Sequence, residues 1–351
     1  MIRSLNFFTL ALIIILTGIQ ASFAETPYAQ ADNTQTDKPH VNKSQADKPS
    51  EPSNEEGDTE DELLDVKLAK PVTYSYVEDG DEKQKLDFYK YLSSRPGLRP
   101  VLIWFHGGGW VKGSREWIDP IAYEIASVGE YNLISAGYRL ADDENAPWPF
   151  IVHDVKAVVR WVRLNAKQLR VNPKKIIVGG ESAGAHLAAM VALSSGVPVL
   201  EGSENPGVPS NVAAAVLFYG PYNMKTLAQK KQKSIDKGRC PKPNYSSPVL
   251  YLLDCQNVDP TTYNVDGCKE EDVKQANPAT YLDSSDPPVF IAHGKDDCIV
   301  PWTQAREFVS ALEEAGVDHK FVSAEDGEHR VWTLEVEASE VVEFLDKRMA
   351  E

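Results

Sequence analysis

The chain has little cysteine, a shortage of positive charge and no apolar run long enough to cross a membrane, and each shortage excludes something. Four cysteines stand among 351 residues, all at or after position 240. None occupies the place of a lipid-anchored cysteine behind an export signal. Lys and Arg total 36 against 52 Asp and Glu, a net charge of −16, and an acidic surface repels nucleic acid and anionic membranes. No nucleic-acid partner is expected. The N-terminal apolar run, residues 7–16, falls short of the roughly 20 residues that a span needs.

That run follows Arg3 and precedes a small-residue exit, Ser22-Phe23-Ala24, which is the layout of a secretory signal peptide cleaved after Ala24. A secreted or periplasmic protein with no membrane span after cleavage is expected. Residues 25–65 then hold 12 acidic and 3 basic side chains, more than half of the net charge, with Asp37-Lys38-Pro39 and Asp47-Lys48-Pro49 as a loose repeat. Almost no large apolar residue interrupts them, so this stretch reads as a disordered acidic linker. Residues 66–351 remain, enough for one large α/β domain.

Within that body, 72–76 and 85–92 alternate polar and apolar residues around Glu78-Asp79-Gly80-Asp81, predicting an antiparallel hairpin. From residue 101 the pattern changes to continuous apolar runs (101–105, 132–136, 213–219, 289–293) separated by helical periods, the rhythm of a mostly parallel sheet with helices on both faces. Residues 221–288 are too long for a connector and hold three cysteines and several turn signals. They read as an irregular cap over the site.

The chemistry gathers on Ile176-Ile177-Val178-Gly179-Gly180-Glu181-Ser182-Ala183-Gly184-Ala185-His186, a strand, a sharp turn and a helix over 183–193. Gly180 and Gly184 flank Ser182 as Gly-x-Ser-x-Gly, the spacing of a serine held on a strained strand-to-helix turn. The new helix aims free N–H groups and its positive end at the space above the hydroxyl. His106-Gly107-Gly108-Gly109-Trp110 follows a buried strand, and its glycines let backbone N–H groups approach a carbonyl unobstructed. Downstream, one strand runs into Lys295-Asp296-Asp297 and the next into Glu325-Asp326-Gly327-Glu328-His329. Both lie past the carboxyl ends of their strands, where open α/β sheets collect their sites. His329 is chosen by exclusion: His40 is in the linker, His106 in the glycine loop, His153 and His186 in helices, and His293 and His319 at strand ends. Asp296 and Asp297 are not separable by spacing.

These residues resemble secreted esterases of the α/β-hydrolase fold, near the hormone-sensitive-lipase-like group and most closely the bacterial bifunctional acetylxylan and feruloyl esterase type, over residues 72–350. The resemblance matches the triad-acid pattern His-Gly-x-x-Asp-x-x-Val-Pro to 293–301 and selects Asp297. It also implies Gly108 and Gly109, with Ala183, as oxyanion donors, and it extends to Tyr138-Arg139-Leu140 and to the stretch from Trp148-Pro149 to Asp154. The long cysteine-bearing insert and Arg330 depart from it. A serine carboxylic ester hydrolase is expected, in which His329, oriented by Asp297, takes the proton of Ser182 and an acyl-enzyme follows, with no metal or organic cofactor. Short-chain or aromatic acyl esters, free or polysaccharide-linked, are the expected substrates, and Trp110, Tyr138, Tyr222, Trp302 and Trp332 are candidates for the pocket wall. A peptidase or arylformamidase on the same fold is the alternative within enzymes, and a non-catalytic binding protein the alternative outside them.

Four cysteines behind an export signal are expected as disulfides, with three pairings open. The favoured one joins Cys255 to Cys268 inside the insert and Cys240 to Cys298 beside the candidate acid.

Overall fold

The computed structural model describes residues 67–141, 148–241, 247–255, 265–330 and 334–350, all within the second of two units, Asp61–Glu351. The expected signal peptide and linker lie outside the described residues. Eight strands, β1 (Val72–Ser75), β2 (Lys85–Tyr89), β3 (Arg99–Phe105), β4 (Asn132–Ala136), β5 (Val171–Glu181), β6 (Ala214–Phe218), β7 (Val289–Gly294) and β8 (His319–Ala324), form one sheet in the order β1-β2-β4-β3-β5-β6-β7-β8. Strand β2 pairs antiparallel with β1 and β4, and every other pairing is parallel.

The continuous apolar runs are explained by two cores, because successive side chains of a strand point to opposite faces. On β3, Val101, Ile103 and Phe105 enter one core and Leu102 and Trp104 the other, all fully buried. Helices α1 (Pro120–Val128) and α10 (Ala338–Met349) cover the second core through Ile121, Ile125, Val341 and Leu345. Helices α2 (Phe150–Leu164), α3 (Ala166–Leu169), α4 (Ala183–Leu193) and α9 (Thr303–Ala315) cover the first. The Asp119 side chain caps α1 by accepting from Ile121 N–H at 3.1 Å, with Pro120 at its first position. Every residue of α4 is buried, which is why it is apolar all round and rich in alanine.

The cap differs from expectation. It is helical, not irregular: after α5 (Pro198–Glu201), residues 221–288 hold α6 (Met224–Asp236), α7 (Pro248–Leu252), α8 (Glu270–Gln275) and a 3₁₀ turn, Pro278–Tyr281. Met224, Leu227, Ala228 and Lys231 are the buried positions of α6, a narrow stripe obscured by the lysines and glutamines around it. Asn223 caps that helix by accepting from Thr226 N–H at 3.0 Å. Both favoured disulfides are present, Cys240–Cys298 and Cys255–Cys268.

One buried carboxylate ties the hairpin to α2. Asp154, 2% exposed, accepts from Arg139 N–H (3.0 Å), Nε (2.9 Å) and Nη2 (2.7 Å) and from Gln84 Nε2 (2.8 Å). Removing it takes three bonds from Arg139 and one from the Gln84 amide at once. Asp154→Ala is therefore expected to cost about 3–5 kcal/mol in urea denaturation. A loss under ~1 kcal/mol, the scale of an exposed pair, would contradict this account.

Candidate active site

Strand β5 delivers Ser182 into a conformation few residues adopt, with φ 54° and ψ −120°. The backbone there is crowded, and the crowding accounts for both flanking glycines. A Cβ on Gly184 would lie 1.9 Å from Phe105 O, and one on Gly180 would lie 2.5 Å from the same oxygen and 2.6 Å from the Gly184 carbonyl carbon. The end of β3 and the start of α4 thus meet at van der Waals limits. Ser182 N–H donates to Phe218 O at the end of β6 (2.9 Å), fixing the turn from its other side.

Three of the residues singled out in the sequence converge on that turn. Ser182 Oγ lies 2.9 Å from His329 Nε2, and His329 Nδ1 lies 2.7 Å from Asp297 Oδ2. Of the two adjacent aspartates, Asp297 is buried and faces the imidazole, while Asp296 is exposed. The other oxygen of Asp297 accepts from Ile299 N–H and Val300 N–H, each at 2.8 Å. His293 Nε2 stands 3.1 Å from Oδ2 and 2.8 Å from Val300 O, donating between them. Burial pushes the Asp297 carboxyl upward, but the His329 charge and the hydrogen bonds from His293 and His329 outweigh it and hold the group well below the usual carboxylate range. A hydroxyl, an imidazole and a permanently charged carboxylate in line can move a proton off the hydroxyl. The Tyr219 ring, at φ 42°, packs 4.5 Å from the His329 ring.

The glycine loop stands next to this relay. Gly107 N–H is taken by Glu181 Oε1 at 2.7 Å, whereas the N–H groups of Gly108 and Gly109 donate to no described residue. Gly108 has φ 109°, and a Cβ there would strike Lys112 O at 2.1 Å, so the loop keeps its N–H groups accessible only with glycine at this position. Beneath it, Tyr138 stacks on His106 with ring centroids 4.2 Å apart and donates its hydroxyl to His106 O at 2.6 Å.

Two supporting residues escaped the sequence reading. Glu181 accepts from Gly107 N–H and, through Oε2, from Trp104 Nε1 at 2.7 Å. Burial pushes its carboxyl up to about 8. His186 Nδ1 accepts from Trp110 Nε1 at 3.1 Å, and its Nε2–H donates to Ala276 O at 2.8 Å. Burial lowers that imidazole to about 4, so one neutral ring links the glycine loop, α4 and the cap. The signal for each was position: a carboxylate adjoining the serine, and a polar side chain one turn into a wholly apolar helix.

The expected pocket aromatics separate. Trp110 and Tyr222 are 3% and 2% exposed, and Tyr222 stacks on Phe308 at 4.3 Å. Both belong to the first core. Tyr138 is buried as well, and Trp302 is partly exposed between Lys295 and Arg306. Trp332 lies outside the described residues.

Comparison with known proteins places this geometry in a family. The BD-FAE family profile matches residues 86–312. The chain belongs to the BD-FAE family. Esterase LipQ of Mycobacterium tuberculosis (strain ATCC 25618 / H37Rv) is 32% identical over 246 residues, 68% of this chain and 51% of LipQ. Probable carboxylic ester hydrolase LipM of the same strain is 30% identical over 62% of this chain and 46% of LipM. The BD-FAE chain described above thus spans about half the length of these curated relatives. Among solved structures, a truncated carbohydrate esterase from gut microbiota matches with TM-score 0.67 and 25% identity, covering 82% of this chain and 99% of that one. Esterase 2 of Thermogutta terrifontis, phosphonylated by sarin, matches with TM-score 0.58 and 26% identity over 80% of this chain and 91% of that one. The fold is that of the α/β-hydrolases.

The raised carboxyl of Glu181 has a consequence for stability. Its ordinary value is 4.5, so between that pH and about 8 the native chain keeps a proton that the unfolded chain has lost. The stability from this group is full below 4.5 and declines as pH rises to about 8. Glu181→Gln cannot ionise and should flatten the pH dependence of the denaturation midpoint over pH 5–8. Parallel curves for wild type and variant would refute the assignment.

Proposed function

We propose that this protein is a secreted serine carboxylic ester hydrolase acting through an acyl-enzyme. The observation that carries the reading is the relay of 2.9 Å and 2.7 Å from Ser182 through His329 to buried Asp297. His329 takes the serine proton as Oγ attacks an ester carbonyl, and Asp297 stabilises the imidazolium that forms. The N–H groups of Gly108, Gly109 and Ala183 receive the oxyanion, and the alcohol leaves with the proton from His329. Water then attacks the acyl-enzyme by the same route in reverse. The two disulfides suit an oxidising compartment, in keeping with the signal-like N-terminus.

For the substrate, we infer a short-chain or aromatic acyl ester carried by a polysaccharide. Support comes from the carbohydrate esterase among the structural relatives and from the esterase of Thermogutta terrifontis solved with propionate bound, at 25% identity and TM-score 0.58 over 80% of this chain and 94% of that one.

With p-nitrophenyl acetate, Ser182→Ala, His329→Ala and Asp297→Asn should each lower kcat/KM by about 10³-fold or more, and combining them should add little. Asp296→Asn should remain within about threefold of wild type, since its side chain is exposed. A fluorophosphonate probe should label Ser182 and spare Ser182→Ala. Loss of activity in Asp296→Asn with Asp297→Asn near normal would overturn the acid assignment, and preference for anilides over esters would overturn the reaction class.

A further inference from the structure

The charge of this chain is unevenly placed, and helix α6 is where it reverses. Between Met224 and Arg239 stand six cations, Lys225, Lys230, Lys231, Lys233, Lys237 and Arg239, and a single acid, Asp236, in a chain of net charge −16. Lys231 is buried on the inner side of the helix, and Lys230 pairs with Glu307. Lys225, Lys233, Lys237 and Arg239 are exposed, and none forms an ion pair with a described residue. At helical spacing, Lys225, Lys233 and Lys237 share one face with Gln229, about 12 and 6 Å apart along the axis.

The helix that carries this face is tied to the proposed site at both ends. Helix α6 starts shortly after Tyr219, whose ring packs on His329. Its trailing segment is bonded through Cys240 to Cys298, the residue after Asp297. The buried Lys231 marks the inner side of the helix, and the basic face is its outer side.

We propose that the solvent face of α6 binds a uronate-bearing polysaccharide and holds it beside Ser182, an inference that rests on the ester-hydrolase reading for the reaction but not for the binding. Spaced ammonium groups interleaved with an amide suit carboxylates separated by hydroxyl-rich sugar rings. A membrane fits poorly, because Met224, Leu227 and Ala228 of α6 are buried in the core and only Ile235, half-buried, is left of its apolar residues, too little to insert among lipids. A nucleic acid fits poorly because its charges, one per about 1.7 Å of duplex, are far denser than ammonium groups about 6 and 12 Å apart.

The test compares the full chain with the variant Lys225→Gln/Lys233→Gln/Lys237→Gln in two measurements. In affinity electrophoresis at low salt, wild type should be retarded by polygalacturonate and not by neutral xylan. The variant, or wild type in 0.5 M NaCl, should bind about tenfold more weakly. In kinetics, both proteins should turn over p-nitrophenyl acetate equally, while KM for acetylated glucuronoxylan rises in the variant with kcat unchanged. Equal retardation of the two proteins by polygalacturonate, or stronger binding of wild type to phosphatidylserine vesicles or an oligonucleotide than to polygalacturonate, would overturn the proposal. Failure to hydrolyse p-nitrophenyl acetate would sink the esterase reading alone, since the binding result decides the surface independently.

Discussion

The close approach of the β3 terminus to the start of α4 is the constraint on which the site depends. Phe105 O occupies the space in which side chains at 180 and 184 would otherwise begin, so the two glycines are dictated by a neighbouring strand as much as by the turn itself. The same contact sets the loop after β3 against the serine, where a Cβ on Gly107 would lie 3.3 Å from Ser182 Cβ. Relaxing this packing would move the N–H donors and the hydroxyl apart together. Polar bonds then add precision: Glu181 holds Gly107, and His186 holds Trp110 at the far end of the glycine run.

Two carboxylates near Ser182 are driven in opposite directions by their surroundings. Asp297 is surrounded by donors, two backbone N–H groups and two imidazoles, and stays charged despite burial. Glu181 accepts from two neutral donors, Gly107 N–H and the Trp104 indole, so burial wins and raises it to about 8. The separation suits acyl transfer. The charged group lies beside the imidazole that must become positive, and the group kept protonated near neutral pH lies beside the loop where negative charge would develop.

Much of this was legible in the sequence for identifiable reasons. Fully buried parallel strands need unbroken apolar runs, helices need a 3.6-residue stripe, and the elbow needs glycines at fixed spacing, so β3 to β7, α2, α4 and the Ser182 turn could be read directly. The order of Ser, Asp and His fell at strand ends, but adjacent Asp296 and Asp297 could be told apart only by a family pattern, since burial is decided by tertiary packing. Helix α6 was hidden because its apolar stripe is narrow and one buried position is a lysine. That Trp110 and Tyr222 are buried could not be read in advance, because an aromatic side chain near a site in sequence carries no sign of which way it faces.

Net charge likewise leaves out where the charge stands. An acidic total repels polyanions at long range, but screening confines each charge to about 8–10 Å at physiological salt, so a local reversal on α6 is felt nearby whatever the total. More than half of the net charge belongs to residues 25–65, which inflates the whole-chain figure without describing the surface beside Ser182. The Cys240–Cys298 bond gives that locality structural meaning. It joins the segment after α6 to the loop whose backbone N–H groups hold Asp297, so the basic face and the candidate acid share one covalent brace.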